Sequence, residues 1–190
     1  MAVESTLKNM VLCLSAVCLV CAAILGCVYA VTFQPIRDAA AKAQMEAIGR
    51  VLPEGAGISQ EKALCIDGIE YSYYEAVSDG ATLGYAVKTS ATGFGGPIVL
   101  MVGVLCDGTI FNTSVLEAGG ETPGLGAKCT TDPVFVSQWA GFPADRRLAV
   151  TKDGGDVDAI TAATITSRAY AKAVASARQV ALYLGGHSNE

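Results

Sequence analysis

The chain has 190 residues, a hydrophobic fraction of 52% and a formal net charge of -5. This length suits one domain plus a membrane segment, because typical domains run from about 100 to 200 residues. The mean hydropathy of +0.42 is high for a wholly soluble protein, and the apolar residues concentrate near the N-terminus. Because no run of Lys or Arg interleaves with aromatic residues, the sequence lacks the charge pattern of a nucleic-acid binder, and we expect no nucleic-acid partner.

The first predicted element is a transmembrane helix at residues 10–33. No charged residue lies between Lys8 and Arg37, and this apolar run exceeds the roughly 20 residues that cross a bilayer as a helix. A cleaved signal peptide is one alternative, and a lipoprotein signal with a faint lipobox at residues 24–27 is another. The run is longer than the usual apolar region of a signal peptide, roughly 7 to 15 residues. We therefore predict an uncleaved anchor, preceded by a cytoplasmic N-terminus at residues 1–9.

A predicted stalk helix, residues 34–53, follows the anchor. It is rich in Ala, its apolar positions recur at roughly helical spacing, and Pro53 is expected to end it. Arg37 and Lys42 lie beyond the apolar run and offset Lys8 before it. The count of positive charges on the two sides is nearly balanced, so charge alone leaves the topology open.

Short runs of β-branched and aromatic residues, separated by turn residues, occupy the next part of the chain. These runs predict strands at residues 69–74, 83–87, 98–104 and 109–111. The pair Asp107-Gly108 between the last two runs is typical of a tight hairpin, which predicts antiparallel pairing.

A second helix is predicted from about Ala162 to Leu184, where apolar residues recur on a helical period and Gly185-Gly186 supply a stop. The predicted fold class is therefore α+β. An N-terminal transmembrane helix is followed by an antiparallel-sheet domain, residues 54–190, with flanking helices.

The cysteines and carboxylates do not form a recognisable metal or catalytic motif. Four of the seven cysteines lie in the apolar segment, where a thiol behaves as a small hydrophobic group. Cys65, Cys106 and Cys129 contain no CxxC pair, and a disulfide from Cys106 to either of the other two remains open. Residues 153–158 resemble a calcium loop but lack its closing Glu. No Ser or Cys has a partner histidine in the domain, so we expect neither a metal site nor a catalytic residue.

Two short stretches have the composition of a binding site. Residues 121–126 read ETPGLG after Gly119-Gly120, and such glycines let a backbone approach a ligand closely. Residues 158–167 place small and hydroxyl residues at the predicted start of a helix, where exposed N–H groups form a natural phosphate site. The alternatives are an ordinary glycine-rich surface loop and simple N-capping by Thr161 or Thr164.

These stretches resemble the motifs of one family. Residues 158–164 (DAITAAT) are similar to the D-x-x-[ST]-G-A-[TS] signature at which a flavin transferase attaches FMN to a threonine, in Rnf G subunits and in C subunits of sodium-translocating NADH:quinone oxidoreductase. The sequence departs from the signature at Ala162, where glycine is usual. Residues 121–126 resemble the ETPGLG loop of the same family, and residues 92–98 resemble its glycine-rich strand start. The three motifs occur in the family's order, and the shortness of the chain favours the Rnf G type.

The resemblance implies one covalent FMN on an FMN-binding domain, with the hydroxyl oxygen of Thr164 forming a phosphoester to the ribityl phosphate. Asp158 is implied in attachment, by orienting Thr164 in the transferase. The other implied cofactor-binding residues shape the attachment turn or lie along the ring or ribityl chain: Thr161, Ala163, Glu121, Thr122, Gly124 and Leu125. The N-terminus of the following helix would partly offset the remaining phosphate charge.

The same resemblance implies a function in electron transport. The chain is expected to be a redox subunit of an Rnf-type ion-translocating ferredoxin:NAD oxidoreductase in the cell membrane, without complete activity alone. Its domain would lie outside the cytoplasm, and its partners would be other membrane subunits and, during maturation, a flavin transferase. Alternatives are the C subunit of the quinone reductase, a stand-alone extracytoplasmic flavin shuttle, and a membrane-anchored binding module without cofactor, since fold alone does not establish function.

Overall fold

The structure, a computed structural model, describes residues 6–66, 68–78 and 80–187. The chain divides into two compact units, one up to Lys42 and the other from Ala43 onward. Residues 1–5 of the predicted cytoplasmic N-terminus lie outside the described residues.

The first helix, α1 (Leu7–Val51), contains the whole predicted anchor and nearly all of the predicted stalk. It runs through Pro35, so no change of secondary structure marks the expected boundary between residues 33 and 34. Its most apolar 18-residue window has a mean hydropathy of 2.8 and no buried residue. By length and composition, α1 is long and apolar enough to cross a membrane. It ends at Val51, just before Pro53.

In the described part of the second unit, six antiparallel strands form a single sheet: β1 (Gly57–Ile58), β2 (Lys62–Ile66), β3 (Ile69–Ser78), β4 (Ala81–Thr92), β5 (Pro97–Leu105) and β6 (Ile110–Glu117). The strand order is β1-β3-β4-β5-β6, and β2 also pairs with β3. The four predicted runs correspond to β3, β4, β5 and β6, although the observed strands are longer. The predicted α+β fold class is therefore confirmed, while β1 and β2 were not predicted.

The hairpin predicted at Asp107-Gly108 joins β5 to β6. Gly108 has φ of +86°, a left-handed conformation that glycine adopts at little cost. The Asp107 carboxylate accepts a 2.8 Å hydrogen bond from the backbone N–H of Thr109. The turn residues thus set the antiparallel pairing of these strands, as the sequence indicated.

Helices cover both faces of the sheet within the second unit. On one face, helix α3 (Thr164–His187) packs against β4 and β5 over a core in which Trp139 and Tyr170 stack with ring centroids 4.9 Å apart. On the other face lie Ile48 and Val51 at the end of α1. Gly103 of β5 permits this second contact, because a Cβ there would collide with the Val51 carbonyl oxygen.

The remaining elements are short. They are two 3-10 turns (Gly126–Thr130 and Thr151–Asp153) and α2 (Pro133–Ser137). The predicted bounds of α3 were wrong at both ends. Ala162 has φ of +61° and lies in a turn, so the helix starts at Thr164, and it passes through Gly185-Gly186 to His187. Helical backbone accepts glycine at a cost of only about 1 kcal/mol each, so two glycines do not by themselves end a helix.

All seven cysteines are free thiols. Neither disulfide that the sequence left open is present: Cys65 and Cys106 are exposed free thiols, and Cys129 is a fully buried one. Burial, and in second place the negative charge of Glu121, raise the pKa of the Cys129 thiol to about 11. Cys129 therefore behaves as a small apolar core residue.

Candidate functional site

The three motif segments meet at one pocket of the second unit. Its volume is about 300 Å³, at the lower end of the range for small-molecule clefts, roughly 300 to 1,000 Å³. The lining residues come from the β4–β5 loop, the loop after β6 and the start of α3: Phe94, Glu121, Thr122, Leu125, Gly126, Ala162, Ala163, Thr164, Ile165 and Thr166. Two larger grooves of about 530 and 540 Å³ contain none of the predicted site residues.

Five predicted residues line this pocket and three do not. Those that line it are Glu121, Thr122, Leu125, Ala163 and Thr164. Gly124, with φ of +77°, makes the turn before Leu125, and Thr161 lies exposed in the turn before α3. Asp158 is also exposed, and the Gln138 side chain holds its backbone by hydrogen bonds to the N–H and the carbonyl. The predicted segments therefore meet at this pocket, although three of the predicted residues do not line it.

Glu121 joins the three segments. Its side chain is buried, with 5% of the residue exposed. Oε1 accepts hydrogen bonds from the backbone N–H groups of Phe94 (2.8 Å) and Gly95 (3.3 Å) in the β4–β5 loop. Oε2 accepts a 2.6 Å hydrogen bond from the Thr166 hydroxyl in α3. One carboxylate thereby fixes the two loops and the helix against each other.

The glycines of the motifs make room for this arrangement. A Cβ on Gly93 would collide with Oε1 of Glu121, and a Cβ on Gly126 would collide with Oε2. Gly95 and Gly120 lie so close that a Cβ on Gly95 would overlap the Gly120 carbonyl oxygen. Close approach of backbone segments is a common reason for glycine. These loops are therefore packed against each other and against Glu121, unlike an ordinary surface loop.

The turn before α3 holds Thr164 at the pocket with its hydroxyl free. Ser167 caps this turn, because its hydroxyl accepts a 3.0 Å hydrogen bond from the Ile160 N–H and donates to the Ala163 carbonyl. Among the described residues, the side chains of Thr161 and Thr164 have no hydrogen-bond partner. N-capping by either threonine, the alternative raised from the sequence, is therefore not observed.

Unpaired backbone donors lie beside the Thr164 hydroxyl. The N–H groups of Thr164, Ile165 and Thr166 have no partner within the described chain, as expected for the first turn of a helix. Together with the helix dipole, such groups attract an anion. This end of the pocket thus has the composition of a phosphate site.

Apolar side chains stand around the opening of the pocket. Phe94 is 68% exposed, Ile165 is 51% exposed and Leu125 is 41% exposed. Each comes from a different one of the three converging segments. Exposed apolar groups clustered around a cleft are typical of a binding site for a partly apolar ligand.

Sequence reasoning did not assign five of the lining residues to the site: Phe94, Gly126, Ala162, Ile165 and Thr166. Phe94 was detectable in principle, since a large aromatic side chain between glycines in a turn has little reason to be there for packing. Thr166 was not detectable, because its role depends on a partner 45 residues away in the chain.

Two of the three carboxylates in the loop at residues 153–158 have partners within the chain. Asp153 accepts two 2.7 Å hydrogen bonds from Arg168, which holds the pKa of the Asp153 carboxyl below its usual value. The Asp156 carboxylate accepts from the backbone N–H of Arg147. Within residues 6–66, 68–78 and 80–187, no group of three or more His, Cys, Asp or Glu side chains is arranged to hold a metal ion.

The chain is similar to known proteins over most of its length. Residues 93–179 match the family described as FMN-binding domain. The G subunit of the ion-translocating oxidoreductase complex of Methanosarcina acetivorans is 37% identical over 163 residues, covering 83% of this chain and 85% of the relative. The corresponding G subunit of Shewanella oneidensis is 34% identical over 183 residues, covering 88% and 85%.

A solved structure is also similar to part of the chain. It is the C subunit of the Na⁺-translocating NADH-quinone reductase of Parabacteroides distasonis, 26% identical, with a TM-score of 0.44. The match covers 57% of this chain and 59% of that one.

Proposed function

This chain belongs to the family of G subunits of ion-translocating oxidoreductase complexes, and on that premise we propose that it carries electrons through one FMN joined by a phosphoester to Thr164. Membership in this family and the match to the FMN-binding domain support a redox subunit of a membrane complex. The observation that carries the proposal is the free Thr164 hydroxyl, which lies at the pocket beside three unpaired N–H groups. No complete reaction is expected of the chain alone.

The residues present fit the phosphate end of FMN. A phosphoester to the Thr164 hydroxyl would keep a negative charge, and the unpaired N–H groups of Thr164, Ile165 and Thr166 provide donors for it. The first turn of α3, residues 164–167, contains no charged side chain. The next residue, Arg168, is already paired with Asp153. Backbone N–H groups, rather than a charged side chain, would therefore offset the negative charge of the phosphate.

The apolar rim fits the ring end of FMN. Phe94, Leu125 and Ile165 offer apolar surface from three sides of the pocket opening, and burial of an aromatic ring against such surface is favourable. When bound, FMN supplies the capacity to take up and release electrons. The residues of this chain bind and orient the group, and they restrict the access of water to the part of it that lies in the pocket.

Attachment requires access for a modifying enzyme. Asp158, Thr161 and Ala162 are exposed around the attachment turn, and Thr164 is half-buried. A flavin transferase would therefore meet Asp158 from solvent, as the resemblance to the attachment signature implies. A covalent tether would prevent loss of the cofactor from so open a site, because it keeps the effective concentration of FMN high.

The proposed location is the outer side of the cell membrane. Helix α1 and membership in this family indicate membrane association. In our proposal the domain lies on the extracytoplasmic side and exchanges electrons with other membrane subunits of the complex. The relatives are named as parts of ion-translocating, proton-translocating or Na⁺-translocating complexes, so the coupling ion differs among them.

The proposal is tested by mass spectrometry of the full chain co-expressed with a flavin transferase. We expect an added mass equal to FMN less water, located by fragmentation of the peptide containing residues 160–168. Thr164→Ala should remove the added mass, whereas Thr151→Ala, at an exposed threonine outside the attachment motif, should keep it. An unmodified wild-type peptide, under conditions that modify a known acceptor, would contradict the covalent link and favour a binding module without cofactor.

A further inference from the structure

Glu121 is the one ionisable side chain among the ten residues that line the pocket. All three of its hydrogen-bond partners are neutral donors: two backbone N–H groups and the Thr166 hydroxyl. An ionised carboxylate accepts hydrogen bonds only, so this set of partners satisfies it without a proton. Within the described chain, no Lys or Arg forms an ion pair with Glu121. One negative charge is thus held at the pocket without a compensating positive charge.

The surroundings of this charge screen it poorly. Glu121 is 5% exposed, Thr166 is 1% exposed, and Cys129 close by is fully buried. Charges act over longer distances in such a medium than they do in water. Burial, and after it the negative charge of Glu121, raise the pKa of the Cys129 thiol. A group bound in the pocket would experience the same field.

We propose that Glu121 lowers the reduction potential of the FMN by holding this uncompensated negative charge at the pocket wall. The proposal rests on the proposed function, since it requires FMN at this site. Reduction adds electrons to the cofactor, and a nearby negative charge raises the free energy of the electron-rich form more than that of the oxidised form. Glu121 is therefore a positioning residue that both joins the loops and tunes the cofactor.

The structure favours this role over a purely structural one. A glutamine at position 121 would make the same contacts, because its carbonyl oxygen accepts from the Phe94 N–H and its amide donates to the Thr166 hydroxyl oxygen. Geometry alone therefore does not require a charge. Burying an ionised group costs more free energy than burying a neutral amide. The charge on Glu121 therefore indicates a role beyond holding the loops.

The test compares the reduction potential of the full-length, flavinylated wild type with those of flavinylated variants. Each potential is measured by reductive titration against reference dyes. Mass spectrometry first establishes that each variant carries the cofactor on Thr164. We expect Glu121→Gln to raise the equilibrium constant for two-electron reduction about tenfold, which corresponds to about 30 mV. Glu117→Gln is the matched control: it removes the same charge from an exposed side chain four residues earlier, and it should leave the potential unchanged.

A second variant keeps the test decisive if Glu121→Gln does not fold or is not flavinylated. Thr166→Val retains the carboxylate but removes one donor that partly neutralises it, so we expect the potential to fall, opposite in sign to the first variant. Thermal unfolding of both variants separates loss of stability from change in potential. If Glu121 had only a structural role, both substitutions would lower the unfolding temperature, but they would not shift the reduction potential in opposite directions.

The outcomes separate this inference from the proposed function. A wild-type protein without covalent FMN contradicts the proposed function itself. FMN present on wild type and on Glu121→Gln, with a potential that is equal or lower in the variant, overturns the inference and leaves the proposed function intact. When only Thr166→Val is measurable, an unchanged or higher potential overturns the inference, and a lower one supports it.

Discussion

The hydroxyl of Thr166 donates a 2.6 Å hydrogen bond to Oε2 of Glu121, across 45 residues of sequence. Both residues are buried, and this bond ties the first turn of α3 to the loop after β6. The other carboxylate oxygen binds the β4–β5 loop. The shape of the pocket therefore depends on a small polar network inside an otherwise apolar region, where each partner is costly to remove.

The contribution of this network to stability is measurable at Thr166. Thr166→Val keeps the shape of the side chain but leaves a buried carboxylate oxygen without its donor. We expect a loss of about 1.5 to 3 kcal/mol in the free energy of unfolding, the range for a hydrogen bond to a charged group. Chemical denaturation checks this value. Thr161→Val in the preceding exposed turn is the control, and an equal loss there would contradict a specific role for the bond.

Ala162 offers a stabilising substitution. Its φ of +61° is left-handed, which costs an L-residue with a Cβ about 1 to 2 kcal/mol and costs glycine far less. Ala162→Gly should therefore raise the free energy of unfolding by up to about 1 kcal/mol, since the added freedom of the unfolded chain offsets part of the gain. Ala175→Gly, in the middle of α3, should lower it by about 1 kcal/mol. Thermal denaturation of both variants tests this difference of sign.

Two glycines of the site loops should respond differently to a methyl group. A Cβ on Gly95 would overlap the Gly120 carbonyl oxygen, whereas a Cβ on Gly119 would meet nothing within 4 Å. We expect Gly95→Ala to cost about 1 to 3 kcal/mol, as overpacking does elsewhere, and Gly119→Ala to stay within about 0.5 kcal/mol. Unfolding by denaturant gives both values. Equal effects would show that the loops containing Gly95 and Gly120 are not in close contact.

The thiols of the second unit should differ in reactivity. The pKa of Cys129 is about 11 and its side chain is buried, so at about pH 8.5 fewer than about one thiol in a hundred is ionised. Iodoacetamide should label the exposed Cys65 in the folded protein, whereas Cys129 should react only after unfolding. Peptide mass spectrometry after timed labelling measures both rates. Rapid labelling of Cys129 in the folded state would contradict its burial.

Local patterns in the sequence predicted much of this protein. The uncharged run after Lys8 predicted a helix of membrane-spanning length, and Asp107-Gly108 predicted the β5–β6 hairpin. Alternation and turn residues located four of the six strands. These predictions succeeded because each depends on residues close together in the chain: helix and strand periodicity, and turn geometry, are local properties. The resemblance of residues 121–126 and 158–164 to attachment motifs likewise lies in contiguous stretches.

Other features depended on the tertiary structure. Thr166 is an ordinary polar residue in its helix until Glu121 comes within hydrogen-bond distance, and the glycines at positions 93 and 126 acquire a reason only when the same carboxylate packs against them. The left-handed backbone of Ala162 set the true start of α3. Sequence alone therefore determined which segments are candidates for the site, through local periodicity and motif composition. Only folding decided which side chains face one another there, because contacts between distant segments depend on how the whole core packs.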